Sequence, residues 1–325
     1  MGLRPESGVT LRQDLSAVAY EYADEVARRS FIGQRVAPLF GVAQDEAAYP
    51  IISRENFLKP ETDARANDGT YNFIDGQFGS GTYKCEEHGL SSLLDDRRKK
   101  KYRNFIDFEE ADTRMLVHKL LLNHERRVAS MVINATTFTA HAPATVWSTS
   151  ASATPTTDIE TGLQTIRQGS GMPPETVSLI LSHTDFVEMC KTTDVLNLVS
   201  YTFSANQGVR PAILKPMHIA TILGIKEVLV GVSAYDTTEE GVAVSASGVW
   251  GTGYAMLAVL ADSADQPLEL PSAFRTMLWT EDSPEFPVME RYYDNDRRGE
   301  VLRARLDSDE VLTADANLLT YLLST

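Results

Sequence analysis

Apolar residues recur at spacings of three, four or seven through residues 107 to 135, at Phe108, Ala111, Met115, Leu122, Ala129 and Val132. That period predicts one long helix, about 40 Å from end to end at about 1.5 Å per residue. No Gly or Pro interrupts it, and Asp107, Glu109, Glu110 and Asp112 crowd its start, where the helix dipole favours negative charge. Residues 46 to 104 behave differently. They carry aromatics, β-formers and turn residues but no continuous apolar face. Strands are expected over Tyr49 to Phe57 and Thr82 to Leu90, with turns at Asn67-Asp68-Gly69 and Asp75-Gly76. A lone two-stranded ribbon is marginal in water. This arm therefore needs a support, and another copy of the chain is the natural one.

The flanking regions fill out the pattern. In residues 1 to 45, Asp14, Ala17, Val18, Tyr22, Val26 and Phe31 outline a short helix that Pro38 and Gly41 close. Residues 139 to 158, poor in charge and rich in Ala, Ser and Thr, read as a loop and domain boundary. Asp158 is expected to cap a helix. ETVSLILSH then reads as a strand and TDFVEMCKTTDVLNLVSYT as a helix. A short helix precedes a strand from Glu227 to Val232, and GVWGTGYAMLAVLA holds another apolar strand. This order predicts a mixed α/β domain around a central sheet. Residues 266 to 325 predict three further strands, the second and third joined by a turn at Asp294, Asn295, Asp296 and Gly299.

Composition narrows the class. The 325 residues leave room for about two domains. Asp and Glu number 45 against 30 Lys and Arg, a net charge of -15. That balance argues against gripping nucleic acid or an anionic membrane as the main task, though passive contact with DNA stays open. Cys85 and Cys190 lie far apart, so no disulfide framework is implied and a reducing compartment is expected. MGLRPESGVT has no apolar core, so no signal peptide is expected, and Glu6 breaks the myristoylation pattern. The richest apolar stretch, AILKPMHIATILGIKEVLVGV, is broken by Lys215, Pro216, His218 and Lys226, so neither a membrane span nor a membrane partner is expected.

Candidate chemistry is thin. Cys85 and His88 make half a zinc site, and no second pair sits nearby in sequence. His118 and His124, the latter followed by Glu125, fall about 240° apart on a helix; they read as helix-surface or interface residues. Cys190 with His183 suggests a nucleophile and base, but Cys190 lies in the apolar FVEMCK and reads as a small hydrophobe. Gly248, Gly251 and Gly253 read as a strand–turn–strand, not a phosphate loop. Glu239 and Glu240 read as solvated loop charges. No catalytic, cofactor-binding or metal residue is expected. The conspicuous cluster is Arg97, Arg98, Lys99, Lys100, Lys101 and Arg103, six of the 30 basic residues within seven positions. It reads equally as a solvated junction or as a contact with the acidic face of a neighbouring copy; contact with DNA is a third reading.

Five phrases, in order, now carry a resemblance. Phe31, Ile32, Arg35, Val36, Pro38 and Val42 match a phrase of the type FIADRVFPxVPV. Tyr83, Gly89, Leu90, Asp95 and Asp96 match the close of an extended loop, with Ser91 where Glu is common. Leu181, Phe186, Val195 and Tyr201 follow in the expected order. Leu223, Gly224, Val228, Val230, Gly231 and Tyr235, then Trp250 and Gly251, make the most specific match. The tail from FRTMLWTED to LLTYLL completes it. The chain resembles the major capsid proteins of tailed double-stranded DNA phages, with the Hong Kong 97-type fold.

The resemblance implies an α+β fold with an N-terminal arm (1–45), an extended loop (46–104), a peripheral domain carrying the spine helix (105–156 and 266–325) and an axial domain (157–265). It implies a non-enzymatic subunit without cofactors, forming pentamers and hexamers of an icosahedral shell around double-stranded DNA. The product would be made in the bacterial cytoplasm and end in the virion. Portal, scaffold and possibly decoration proteins are the implied partners; because this chain starts almost directly at the arm, either a separate scaffold or an already processed form is expected. Expected contacts between subunits are Phe57, Lys59, Tyr71, Phe73 and Phe78 on the loop, and the basic cluster. Some relatives cross-link a loop Lys; Lys59 has no evident activating acid, and no cross-link is expected. Two other readings compete: a nanocompartment shell of the same fold enclosing enzymes, and an enzyme with a cryptic site in the α/β domain.

Overall fold

A computed structural model gives the fold. It describes residues 10–11, 15, 18–19, 21–22, 25, 30–52, 58–60, 63–65, 69–73, 78–102, 108–202, 214–238, 241–263, 266–268 and 270–325. The N-terminal part contributes β1 (Thr10–Leu11), α1 (Gly33–Val36), β2 (Leu39–Val42), β3 (Glu46–Ile52), β4 (Phe78–Lys84) and β5 (Glu86–Asp95). Two helices follow, α2 (Asp96–Tyr102) and the long α3 (Phe108–Val132). Next come β6 (Ala140–His141), α4 (Pro155–Ser170), β7 (Val177–Ser182), α5 (His183–Lys191), α6 (Thr193–Thr202) and α7 (Pro216–Leu223). The chain ends with β8 (Glu227–Gly231), β9 (Ala234–Asp236), β10 (Ala246–Gly248), β11 (Tyr254–Val259), β12 (Phe274–Trp279), β13 (Val288–Asp294), β14 (Gly299–Leu312) and β15 (Thr320–Ser324).

Two sheets organise these elements. In the six-stranded sheet β14 is the axis. One edge pairs with β13 and then β12, and the other pairs with β5 from Gly299↔Asp95 to Ser308↔Glu86. The first half of α3 lies on this sheet, burying Leu116, Val117, Leu120 and Leu121 against Leu278, Met289, Leu302 and Leu306. Each such leucine contributes about 1.5–3 kcal/mol by leaving water. The five-stranded sheet runs β6-β15-β11-β7-β8. Every residue of β7 is buried, as the apolar-rich VSLILS suits a strand covered on both faces. The end of α3, at Val128, Ala129 and Val132, belongs to this second core. One helix therefore spans both cores.

The structure departs from the sequence expectations at identifiable places. The expected strand over Thr82 to Leu90 is two strands in different sheets. The chain changes sheet at Cys85, whose N–H donates to the Asp45 carbonyl (2.8 Å) and whose Sγ lies 3.8 Å from the Met277 carbonyl. The root of the β3–β4 ribbon rests on its own chain. Tyr49 and Tyr83 pack with Val42, Met277 and Val311, and the Tyr49 hydroxyl donates to the Leu312 carbonyl at 2.8 Å. The helix expected from Thr184 to Thr202 breaks at Thr192, which is extended and whose hydroxyl donates to the Met189 carbonyl at 2.7 Å. Asp158 does not cap α4. The helix starts at Pro155, and Asp158 sits in its first turn, accepting from Trp147 Nε1 at 3.1 Å.

The C-terminal region holds four strands, not three, and the last returns to the five-stranded sheet. The turn between β13 and β14 falls where Asp294 to Gly299 placed it, with Arg298 left-handed at φ 50°. On α3 the buried row differs from the expected one: Ala111 and Met115 are exposed and Leu122 is half-buried. In the short helix read near the N-terminus, Val18 and Tyr22 are helical; Asp14, Ala17 and Val26 lie outside the described residues.

Candidate functional site

Of the residues expected to contact other copies, Phe57 and Arg103 lie outside the described residues. The rest fall into two groups. On the loop, Lys59 is exposed at a bend and Phe78 opens β4 opposite Ile52. Tyr71 and Phe73 are 73% and 98% exposed. The Arg65 guanidinium stacks on the Tyr71 ring, 4.9 Å from its centroid, and Arg65 Nε donates to the Gly69 carbonyl at 2.5 Å. A cation over an aromatic face is attracted by the ring quadrupole, so this part of the loop is held in shape while presenting two aromatics to solvent.

The second group is α2. Arg98 lies within it, and Arg97, Lys100 and Lys101 are exposed. Lys99 fits neither favoured reading of the cluster. Its ammonium lies 2.5 Å from Glu109 and 3.0 Å from Glu300 of its own chain, and Arg291 joins the same two carboxylates at 3.7 and 3.5 Å. Burial works against the charge on Lys99, but the hydrogen bonds to Glu109 and Glu300 outweigh it and hold the pKa above its ordinary value. Lys99→Glu is expected to cost about 1–2 kcal/mol, discounted for partial exposure. Lys100→Glu should stay within about 0.5 kcal/mol of the native chain. Urea midpoints compare them, and equal losses would contradict the internal role of Lys99.

The other candidates take ordinary places. Burial, then the charges of Asp309 and Asp307, pushes the Cys85 thiol up to about 11. Burial pushes Cys190 up to about 12. Both shifts run away from the thiolate that nucleophiles and metal ligands need. Gly253 turns the chain into β11 at φ 91°, and its N–H donates to Asp185 at 3.1 Å. Glu239 and Glu240 lie outside the described residues.

His124 corrects the surface assignment. It is 1% exposed, with Nε2 3.2 Å from Thr276 Oγ1 and 3.6 Å from Glu310 Oε1. Burial, only partly opposed by Glu310, lowers its pKa to about 4. Arg127 binds Glu310 through two hydrogen bonds of 2.8 and 3.0 Å.

The sequence reading missed the neighbouring Glu125, also 1% exposed. Its Oε1 accepts from Ile32 N (3.1 Å), Ser233 Oγ (3.3 Å) and Trp250 Nε1 (2.6 Å), and its Oε2 accepts from Gly33 N (2.5 Å). Burial raises its pKa, while these four donors pull it back. Two glycines make room. A Cβ on Gly33 would stand 2.5 Å from Glu125 Oε2, and one on Gly231 would collide with the Trp250 ring. The N-terminal segment at Ile32 and Gly33, the long helix and the root of the β9–β10 hairpin thus meet at one carboxylate. Beside it, a cleft of about 760 Å³ opens between Phe31 and Arg35 of the arm and Phe186, Met217 and Val230, with Arg35 paired to Glu227.

No protein-family model and no curated protein matches the chain. Solved structures do. A phage-related protein from Bordetella bronchiseptica matches with a TM-score of 0.70 at 19% identity, over 98% of each chain. The capsid of cyanophage P-SCSP1u matches at 0.58 and 11% identity, over 89% of this chain and 86% of that one. A virus-like particle from Pyrococcus furiosus matches at 0.55 and 8% identity, over 96% and 98%. The sheets, the helix that spans them and these full-length likenesses lead to one conclusion: the chain has the tailed-phage capsid fold, of the Hong Kong 97 type that its sequence resembles.

Proposed function

We propose that this chain is the major capsid protein of a tailed phage, a non-enzymatic subunit that closes into an icosahedral shell around double-stranded DNA. The observation that carries the reading is the capsid fold over nearly the whole chain, in a sequence whose ordered phrases resemble major capsid proteins. The two neighbouring aromatics held out on the loop, Tyr71 and Phe73, are compatible with it, since aromatics are enriched at protein interfaces. Copies form pentamers and hexamers. Tyr71 and Phe73 reach a neighbouring subunit, while Arg97, Lys100 and Lys101 face its acidic surface. The net charge of -15 suits a shell that lets DNA move past it without holding it. Portal and scaffold proteins, and in some particles a decoration protein, complete the assembly in the host cytoplasm.

A second reading, a nanocompartment shell enclosing enzymes, is favoured only by the likeness to the virus-like particle. The contents separate the two. Particles treated with nuclease and then opened are expected to release protected double-stranded DNA. Particles that hold a protein cargo and no DNA would move the chain to the second reading.

A further inference from the structure

We propose that Glu125 is a positioning residue for assembly: it fixes the N-terminal arm and the β9–β10 hairpin in one relation, so that both meet neighbouring copies in register. The proposal rests on the shell-subunit reading above and names the device that ties the arm to the hairpin.

The argument begins with acceptor chemistry. A carboxylate is acceptor-only, with about four lone-pair sites. Four donors converge on this one, two from the arm and two from the hairpin root. The arm is held at its far end by other means: β2 pairs with β12, and Thr276 binds the carbonyls of Ala37 and Pro38 at 3.0 and 3.1 Å. At its near end, Ile32 and Gly33 give their N–H groups to Glu125. The hairpin is tied in the same way. Ser233 and Trp250 flank its two strands, and Val249 N donates to the Ser233 carbonyl at 2.9 Å. Arg126 adds an independent contact from the same helix, stacking over the Tyr235 ring of β9, 4.5 Å from its centroid. Beyond that root the hairpin carries Val242 and Val244, 62% and 76% exposed. A packing residue would need no such convergence. A carboxylate shared between the buried segment at Ile32 and Gly33 and the exposed hairpin makes the placement of each depend on the other.

The test uses Glu125→Gln in the full chain. The amide keeps the shape but offers one acceptor oxygen, so its nitrogen must face a donor. Amide hydrogen exchange of the unassembled subunit is expected to be about tenfold faster at Ile32, Gly33 and Val249, the factor one lost hydrogen bond to a charged acceptor implies. Exchange in β7 and β11 should stay native. Under conditions in which the native chain forms closed particles, the variant should form at least about tenfold fewer, the same factor carried into assembly. Ser233→Ala, which removes only the 3.3 Å bond, should change either readout much less. If Glu125→Gln does not fold, Gly33→Ala reads the same junction, because its Cβ displaces Oε2 while the charge remains. Native exchange at Ile32 and Gly33 would overturn the proposal, and so would a loosened arm that still builds shells at the native yield. A native chain that never assembles counts against the shell reading instead, and the exchange rates then decide the arm–hairpin tie alone.

Discussion

Truncation after Leu319 is expected to abolish the five-stranded sheet and leave an insoluble chain. The segment removed, β15, lies between β6 and β11. It pairs with β11 from Ala258↔Thr320 to Tyr254↔Ser324, and its Leu322 and Leu323 pair in parallel with Ala140 and His141. Thr320, Tyr321, Leu322 and Leu323 are all buried, and Tyr321 stacks on His141 with centroids 4.1 Å apart. Loss of β15 strips β11 of one partner and opens the second core along its length. Leu322→Ala alone should cost about 2–5 kcal/mol, against a total stability of about 5–15 kcal/mol for an ordinary domain. The soluble fraction after expression reads the truncation, and urea unfolding followed by circular dichroism reads Leu322→Ala. A truncated chain that stays soluble and unfolds cooperatively at the native midpoint would show that β15 is dispensable.

The opposite separation is expected from the loop. Replacing residues 60 to 76 with a short Gly-Ser linker keeps the β3–β4 register from Glu46↔Lys84 to Ile52↔Phe78 and the ribbon root at Tyr49 and Tyr83. Shortening a loop changes closure entropy by only about 0.6 kcal/mol per halving, so the unfolding midpoint should barely move. Shell formation should be lost. The excision removes Tyr71 and Phe73, and aromatic anchors in protein interfaces are worth about 2 kcal/mol or more each, a factor of about 30 per contact. Phe73→Ala is the graded version, expected to raise the concentration needed for assembly by about that factor. Intact shells from the excised chain would remove the loop from the interface.

These two outcomes follow from what local sequence shows and what it hides. The long helix, strand β7 and the turn at Asp294 to Gly299 were legible because each is a local signal: a period, an apolar run, a cluster of turn residues. The buried face of α3 was not. Thr113, His124 and Glu125 are polar, so a hydropathy count moves the face toward Met115 and Ala111. His124 and Glu125 have partners, Thr276 and Trp250, that stand more than a hundred residues away in sequence. The break at Cys85 was hidden for the same reason, since both of its strands carry β-formers and only distant β14 and nearby β3 decide which sheet each joins. Lys99 looked like its neighbours in the basic run, and only its position opposite Glu109 and Glu300 turns it inward. The junction at Glu125 left faint traces: Ile32, Gly231 and Trp250 all lie in the phrases that resemble capsid proteins, and each touches or makes room for that carboxylate.

The most direct test of the shell reading is electron microscopy of this chain purified from cells that also express its neighbouring genes, so that any scaffold is supplied. The account predicts closed icosahedral particles built of pentamers and hexamers, with the loop of each copy lying over an adjacent one. Well-folded monomers under those conditions, with no capsomers, tubes or shells at high protein concentration, would contradict it.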